Sequence, residues 1–243
     1  GIQDPESPGR SQEHRVGSAG FFPIVYKRLH FSLGTFEGIT AGWFDETADG
    51  ADVHNTPVDL RTLPPAELDA YRWTRIACVF QAAQHALNPI LKLRDVFLET
   101  VLAHDPKRPK EEILQRARRL LDSVRLNDYV LDYYPYQLSG GMKQRVLIAL
   151  SLLLEPDIII LDEPTTALDV ITQKYIMTIL QEIHDAQGVT MVFLTHDIAI
   201  IGAMVDRMAV MYAGKIVEIG GREALFRNPR HPYTYGLLHA IPT

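Results

Sequence analysis

Apolar residues in the second half of the chain follow two alternating patterns. Two continuous apolar runs, Ile158–Leu161 and Thr190–Thr195, have the length and composition of strands that are buried on both faces. Helical spacing follows each run, over Ile171–Ile183 and then Ile198–Val205. Alternating strands and helices predict an α/β fold with a mostly parallel sheet, and such folds bind ligands at the carboxyl ends of their strands.

The middle of the chain is mainly helical in pattern. A helix is expected from Pro65, and a strand is expected over Ile76–Phe80. Further along, apolar residues recur at spacings of three and four, which predicts one buried helical stripe: Ile113, Leu114, Ala117, Leu120, Leu121 and Val124. A second helix is expected from Ser139 to Leu153, because serine is a good helix N-cap.

The sequence pattern predicts secondary structure near the C-terminus but very little in residues 1–55. Near the C-terminus, Ala209–Tyr212 and Lys215–Ile219 flank Ala213-Gly214, which indicates a hairpin. Residues 1–55 are rich in Gly, Ser, Asp and Pro, and only Phe22–Tyr26 has a strand-like pattern there.

Composition excludes several classes of protein. The chain has 243 residues, 47% of them hydrophobic, and a net charge of −6, which disfavours both a disordered protein and a nucleic-acid partner. Its single cysteine, Cys78, excludes an internal disulfide. The longest apolar run, Val146–Leu154, is too short to span a bilayer, and the N-terminus does not resemble a signal peptide. We therefore expect a globular protein that is either soluble or bound to a membrane only through partners.

Two neighbouring acids follow the first apolar strand, in "IIILDEPTTALD". Asp162 and Glu163 come at the carboxyl end of that strand, and successive strand residues point to opposite faces. The two carboxylates therefore have different tasks. One can hold a hard cation, usually through water, while the other acts as general base towards a water molecule.

Three further places carry candidate chemistry. In "QLSGGMKQR", Ser139 begins a helix, and Gly140 and Gly141 leave backbone N–H groups open at its positive end, as in phosphate sites. His196 ends the second apolar strand and so lies on the same sheet edge as the acids. Gln81 follows a strand in the same way and offers a donor and an acceptor to a metal-bound water. Each signal alone is weak, since a cap or a structural histidine is the commoner case.

These four places, taken in their order along the chain, resemble the motifs of the ATP-binding subunits of ABC transporters. "LSGGMKQR" is similar to the family signature, "IIILDEP" to the Walker B strand, "TALD" to the D-loop, "LTHD" to the switch-histidine segment and "VFQ" to the Q-loop. The resemblance runs from about Val58 to Pro242. "ALNP", "MYAGKIVEIG" and "NPRHPYTYGLLHAIP" are similar to the importer branch for peptides and nickel.

The resemblance implies a fold and a division into parts. The fold would be a P-loop NTPase-like core with an inserted helical subdomain. The core would comprise residues 56–81 and 156–243, and residues 82–155 would form the helical subdomain that carries the signature. Residues 1–55 would be an atypical N-terminal region.

The resemblance also implies roles for the candidate residues, with ATP and Mg²⁺ as cofactors. Asp162 would hold Mg²⁺ with help from Gln81, Glu163 would polarise the attacking water, and His196 would contact the γ-phosphate. Asp169 would reach the neighbouring subunit. Ser139, Gly140 and Gly141 would complete a nucleotide site that belongs to that partner.

The implied partners are a second ATPase subunit, identical or different, and two membrane permease subunits. An extracytoplasmic solute-binding protein would act indirectly, and nucleic acid is not expected. The implied place is the cytoplasmic face of the cell membrane, and the implied task is to power import of peptides or similar small solutes.

One family motif has no match. No G-x-x-x-x-G-K-[ST] occurs in the 243 residues, so the phosphate-cradling loop is not found. Permitted codons for Gln12-Glu13-His14-Arg15, read one base later, encode Lys-Ser-Thr, so one hypothesis is a frameshifted or otherwise replaced N-terminal lobe, which sequencing the source DNA would test. The alternative function is a nucleotide-site-deficient subunit that serves as a dimer partner with little ATPase activity of its own.

Overall fold

The computed structural model describes residues 60, 62–81, 83 and 86–240, together with the backbone pairing of four short strands before them. The strands are β1 (Ile24–Tyr26), β2 (Phe31–Ser32), β3 (Thr40–Ala41), β4 (Val58–Asp59), β5 (Ile76–Val79), β6 (Ile158–Asp162), β7 (Thr190–Leu194), β8 (Arg207–Tyr212) and β9 (Lys215–Gly221). The rest of residues 1–55 lies outside the described part, so the predicted atypical region stays a prediction.

Helices fill the space between the strands. They are α1 (Pro65–Tyr71), α2 (Leu93–Leu102), α3 (Lys110–Ser123), α4 (Gly140–Ser151), α5 (Val170–Gln187), α6 (Ile198–Ile201), α7 (Arg222–Arg227) and α8 (Pro232–His239). Two short 3-10 turns, Asp128–Asp132 and Pro135–Gln137, lead from α3 to α4.

The main sheet has the strand order β5-β6-β7-β1-β8-β9. β5, β6 and β7 pair in parallel, whereas β1, β8 and β9 join by antiparallel pairing. The α/β fold class is confirmed, and the parallel pairing is confined to three strands. Because those three are parallel, their carboxyl ends meet at one sheet edge, where Asp162 pairs with Leu194.

β6, which lies between the parallel strands β5 and β7, is buried on both faces, as its aliphatic run predicts. Ile159 and Leu161 belong to the large core beneath the helices, whereas Ile158 packs with Val192 and Ala209 on the other face. Successive strand side chains point to opposite faces, so this burial fixes the register of β6 and aims the residues that follow it.

The helices α2, α3 and α4 form a layer beside the sheet. α3 packs against both α2 and α4, and α4 also contacts β5; the residues of the predicted stripe that are buried on α3 are Ile113, Ala117, Leu120 and Leu121. Leu114 is only half-buried, and Val124 is buried just after the helix ends. At the carboxyl end of α4, the Arg116 guanidinium donates to the backbone carbonyls of Leu152 and Leu153, at 3.0 and 2.7 Å. These bonds satisfy carbonyl groups that a helix end leaves without partners. The boundaries predicted for a helical subdomain at residues 82–155 stay a prediction.

Element ends differ from the predictions in a few places. α6 ends at Ile201, four residues before the predicted end at Val205. Gly202 follows, with the Phe226 ring so close that an added Cβ would lie 2.6 Å from it, and the chain then turns into β8. In the described part of the chain, no helix is long and apolar enough to cross a membrane.

Candidate functional site

Four predicted site residues meet at the carboxyl edge of the parallel strands. Asp162 is the last residue of β6, Glu163 follows it, Gln81 lies two residues after β5, and His196 lies two residues after β7. Gln81 donates from Nε2 to Glu163 Oε2 at 2.9 Å, and His196 Nδ1 lies 2.7 Å from Glu163 Oε1. The parallel sheet thus brings these four residues together, and we name them the acid cluster.

A third partner of Glu163 comes from the loop that follows it. Thr166 donates its hydroxyl to Glu163 Oε2 at 2.6 Å. The Glu163 side chain is only 9% exposed, whereas that of His196 is 63% exposed. The carboxylate is therefore sheltered and held on both oxygens, while the histidine ring faces outwards from it.

The backbone at Glu163 has an unusual conformation. Its φ angle is +46°, in the left-handed region that favours glycine, and its N–H donates to the Leu194 carbonyl at 2.8 Å. A non-glycine residue in that region costs about 1–2 kcal/mol. The bond to β7 and the three side-chain donors hold the residue there, so strain is retained where the carboxylate is aimed.

The pKa values of the two neighbouring carboxyl groups are shifted in opposite directions. Burial, and then the charge of Glu163, raise the pKa of Asp162 above its ordinary value, against an opposing hydrogen bond with the Gln81 backbone. Burial also acts to raise the pKa of Glu163, but its hydrogen-bond donors outweigh burial and leave that pKa below its ordinary value. A pair of acids whose pKa values are moved apart is typical of sites that divide two tasks between them.

The oxygens of this cluster fit a hard cation. Mg²⁺ prefers oxygen ligands, and a cation beside Asp162 would offset both the burial and the negative charge of Glu163, which together disfavour ionisation of Asp162. Gln81 uses its Nε2 on Glu163, which leaves its Oε1 as an acceptor for a cation or its water. Within the described residues, no group of three or more His, Cys, Asp or Glu side chains could enclose a metal ion.

The segment Ser139, Gly140 and Gly141, here called the signature segment, forms the start of α4. Ser139 is the N-cap, and its hydroxyl accepts from the Met142 N–H at 3.3 Å, as predicted. Ser139 and Gly140 are exposed. The first turn of the helix therefore presents open N–H groups and the positive end of its dipole to the outside.

Gly141 lies close to the side chain of Thr172 on α5. A Cβ added at Gly141 would lie 2.9 Å from Thr172 Cγ2, closer than real Cβ contacts come. The same Thr172 donates from Oγ1 to Asp169 Oδ2 at 2.6 Å, and its N–H donates to Asp169 Oδ1 at 3.0 Å. Asp169 is the N-cap of α5, and these bonds lower its pKa. The signature segment and Asp169 are thus neighbours through Thr172.

A tyrosine and two arginines join the helical layer to the core below this contact. The Arg125 and Arg145 guanidinium groups lie over the Tyr175 ring on α5, at 5.2 and 5.4 Å from its centroid. Arg145 also donates to the backbone carbonyl of Arg125 at 2.9 Å. Cation–π contacts of this kind are attractive, and together with the hydrogen bond they hold α4 against α5.

The sequence and the fold of this chain both match known proteins. Residues 46–166 match the ABC transporter family, and residues 217–243 match the oligopeptide/dipeptide transporter C-terminal region. A solved dimeric bacterial ABC transporter cassette is 34% identical with a TM-score of 0.57, over 66% of this chain and 68% of that chain.

The chain belongs to the ABC transporter family.

Curated relatives within the family carry peptide-transport names. The dipeptide transport ATP-binding protein DppD of Caldanaerobacter subterraneus is 50% identical over 184 residues, covering 75% of this chain and 56% of the relative. The oligopeptide transport ATP-binding protein OppD of Haemophilus influenzae is 39% identical over 186 residues, covering 76% of this chain and 57% of the relative. The chain therefore spans just over half the length of these relatives.

Some predicted residues of this ABC transporter chain come together and others do not. Gln81, Asp162, Glu163 and His196 form the acid cluster, while Ser139, Gly140 and Gly141 lie at another helix start beside Asp169. Among the described residues, no hydrogen bond or ion pair joins the signature segment to the acid cluster. Sequence reasoning missed Thr166 and Thr172. The signal for both was spacing, since each hydroxyl lies three residues after the carboxylate that it bonds.

Proposed function

We propose that this chain is the ATP-binding and ATP-hydrolysing subunit of an ABC importer for peptides or similar small solutes. The observation that carries this proposal is the sheltered Glu163 carboxylate, held on both oxygens beside a second acid at the edge of the parallel strands. A carboxylate fixed in this way can accept a proton from a water molecule at that edge. The family membership supports ATP as the substrate.

Each member of the acid cluster has a proposed role. Glu163 orients the attacking water and takes its proton, and His196 contacts the γ-phosphate from the exposed side of the carboxylate. Asp162 and Gln81 would hold Mg²⁺, which when bound neutralises phosphate charge. The hydrogen bonds to Glu163 keep it ionised and aimed, so little rearrangement is needed as charge develops.

The remaining predicted residues are proposed to serve a second subunit. Ser139 and Gly140 are exposed at an open helix start, which suits phosphate bound by another chain. Asp169 is also exposed and lies beside the signature segment. We expect two such subunits, identical or different, to work beneath two permeases on the cytoplasmic face of the membrane. The names of the relatives support dipeptides or oligopeptides as the transported solutes.

Measurement of Mg-ATP binding and hydrolysis by the purified chain tests this function. We expect the wild-type chain to bind Mg-ATP and release phosphate. Glu163→Gln should retain binding and lose about 100-fold or more in turnover, because the amide keeps the shape but cannot take the proton. Thr178→Val is a matched control, since its hydroxyl bonds a carbonyl on the exposed side of α5.

Two outcomes would contradict the proposal. Absence of Mg-ATP binding by the wild-type chain would favour a subunit that only supplies its signature segment to a partner, as the unmatched P-loop motif also suggests. Turnover that Glu163→Gln leaves unchanged would remove Glu163 from the role of base.

A further inference from the structure

We propose that Thr166 is a positioning residue that fixes the Glu163 carboxylate towards the attacking water. The proposal rests on the function proposed above, because it assigns a task within that hydrolysis. Its basis is the hydrogen bond of 2.6 Å from Thr166 Oγ1 to Glu163 Oε2, which is the shortest of the three side-chain contacts to that carboxylate.

The loop geometry places the Thr166 hydroxyl. The Thr166 N–H donates to the Glu163 carbonyl at 3.1 Å, which closes a turn over residues 163–166. Gln173 Nε2, on α5, donates to the Thr165 carbonyl at 3.2 Å and ties that turn to the helix. The hydroxyl is therefore delivered by a short, doubly anchored segment, which limits how far it can move.

The distribution of donors shows why this hydroxyl matters. His196 occupies one acceptor position of Oε1, whereas Gln81 and Thr166 share Oε2. A carboxylate has about four acceptor positions, so one near Oε1 stays available for a water molecule. Without Thr166, Oε2 would be held by Gln81 alone, whose side chain is exposed and extends from a separate strand end. The carboxylate could then rotate, and the free acceptor position would lose its aim.

A different result is expected if the role of Thr166 is purely structural. In that case loss of the hydroxyl would loosen the turn and lower stability, and turnover of the folded fraction would be unchanged. Hydrogen bonds to charged groups are stronger than those between neutral groups, so either effect is large enough to be measured. Measurements of kcat and of the environment of the Gln81 amide therefore distinguish a positioning role of Thr166 from a structural role.

The test compares Thr166→Val with Thr166→Ser and with the Thr178→Val control. Valine keeps the shape and removes the hydroxyl, so we expect kcat for Mg-ATP to fall about tenfold or more while KM changes less than about twofold. Thr166→Ser should restore kcat to within about threefold of wild type. The Gln81 side-chain amide signal in ¹H–¹⁵N NMR spectra should shift in Thr166→Val and return in Thr166→Ser, because both groups bond the same oxygen.

The outcomes distinguish this proposal from the proposed function. Wild-type kcat together with an unshifted Gln81 signal in folded Thr166→Val would overturn the positioning role. Loss of kcat that Thr166→Ser does not rescue would overturn it as well. If the wild-type chain hydrolyses no ATP but the Gln81 signal responds as expected, the proposed function fails while the placement of the carboxylate by Thr166 is upheld.

Discussion

The acid cluster and the signature segment are both candidate phosphate-handling surfaces, but they satisfy their polar groups differently. In the acid cluster, the Glu163 carboxylate is sheltered and bonded by side chains from three separate segments. In the signature segment, the Ser139 hydroxyl bonds its own helix, and Ser139 and Gly140 are exposed. The acid cluster is thus organised by contacts within the chain, whereas the signature segment leaves its first turn open to the outside.

This difference follows from how each is built. Three parallel strands bring distant residues to one edge, so side chains can complete one another's hydrogen bonds. A helix start leaves four N–H groups without intrahelical partners, and a single N-cap serine satisfies one of them. Under the proposed function, the acid cluster and the signature segment would be two unlike halves, and each whole nucleotide site would take one half from each of two subunits.

The experiment with the largest expected effect mixes two defective variants. It tests whether the acid cluster of one chain and the signature segment of another complement each other. Glu163→Gln disables the acid cluster, while Gly140→Asp puts a carboxylate at an exposed helix start, where it repels phosphate and the helix still tolerates it. Each variant alone should be nearly inactive. A one-to-one mixture should recover about a quarter of wild-type Mg-ATP turnover, because half of the dimers are mixed and each has one whole site.

The control for this mixture is a double variant that carries both substitutions in one chain, mixed with the wild type. Its mixed dimers also contain substitutions in both halves, but the intact halves then lie on the same chain. Those dimers should add no turnover, since neither site would be whole. No recovery in the first mixture, with mixed dimers shown to form, would contradict the division into halves.

Steric contact beneath the signature segment gives a second, smaller effect. Gly141→Ala would push a methyl group against Thr172 Cγ2, and overpacking of this kind costs about 1–3 kcal/mol. Thr172→Ser removes that methyl group and keeps the hydroxyl that bonds Asp169. We therefore expect Gly141→Ala to lower the free energy of unfolding in urea, and the double variant to regain most of the loss. Equal losses in both backgrounds would show that the contact is unimportant.

Local sequence pattern predicts some features of the molecule and not others. Burial on both faces of Ile158–Leu161 and the N-cap at Ser139 follow from local pattern, and both are confirmed. The family and the fold class are confirmed too. The proposed roles of Asp162, Glu163 and His196 stay proposals, since the geometry alone does not test them.

Other features depend on contacts that no pattern states. The antiparallel entry of β1 between β7 and β8 depends on which strand edge is free, and strand-like spacing does not encode direction. α6 ends at Ile201, and the Phe226 ring lies so close to Gly202 that only glycine fits there, a contact that the helical spacing does not state. Thr166 and Thr172 were not singled out, because a hydroxyl in a polar loop is ordinary until its partner is placed.

The smallest expected effect concerns the cap of the signature segment. Ser139→Ala removes the acceptor for the Met142 N–H, and loss of a serine N-cap costs about 0.5–2 kcal/mol. Ser139→Asn should retain most of that stability, because asparagine also caps helices. Thermal unfolding of the two variants and the wild type measures the difference. A loss in Ser139→Asn as large as that in Ser139→Ala would mean that the hydroxyl does more than cap.

The left-handed backbone at Glu163 has a consequence for how this protein would change under selection. Glycine there would relieve the backbone strain, but it would also leave the donors of Gln81, Thr166 and His196 without their shared acceptor. A library of residues at this position that is selected for Mg-ATP turnover should therefore keep glutamate in spite of its strained backbone. The strain would persist through such a selection because the carboxylate and the left-handed backbone belong to the same residue.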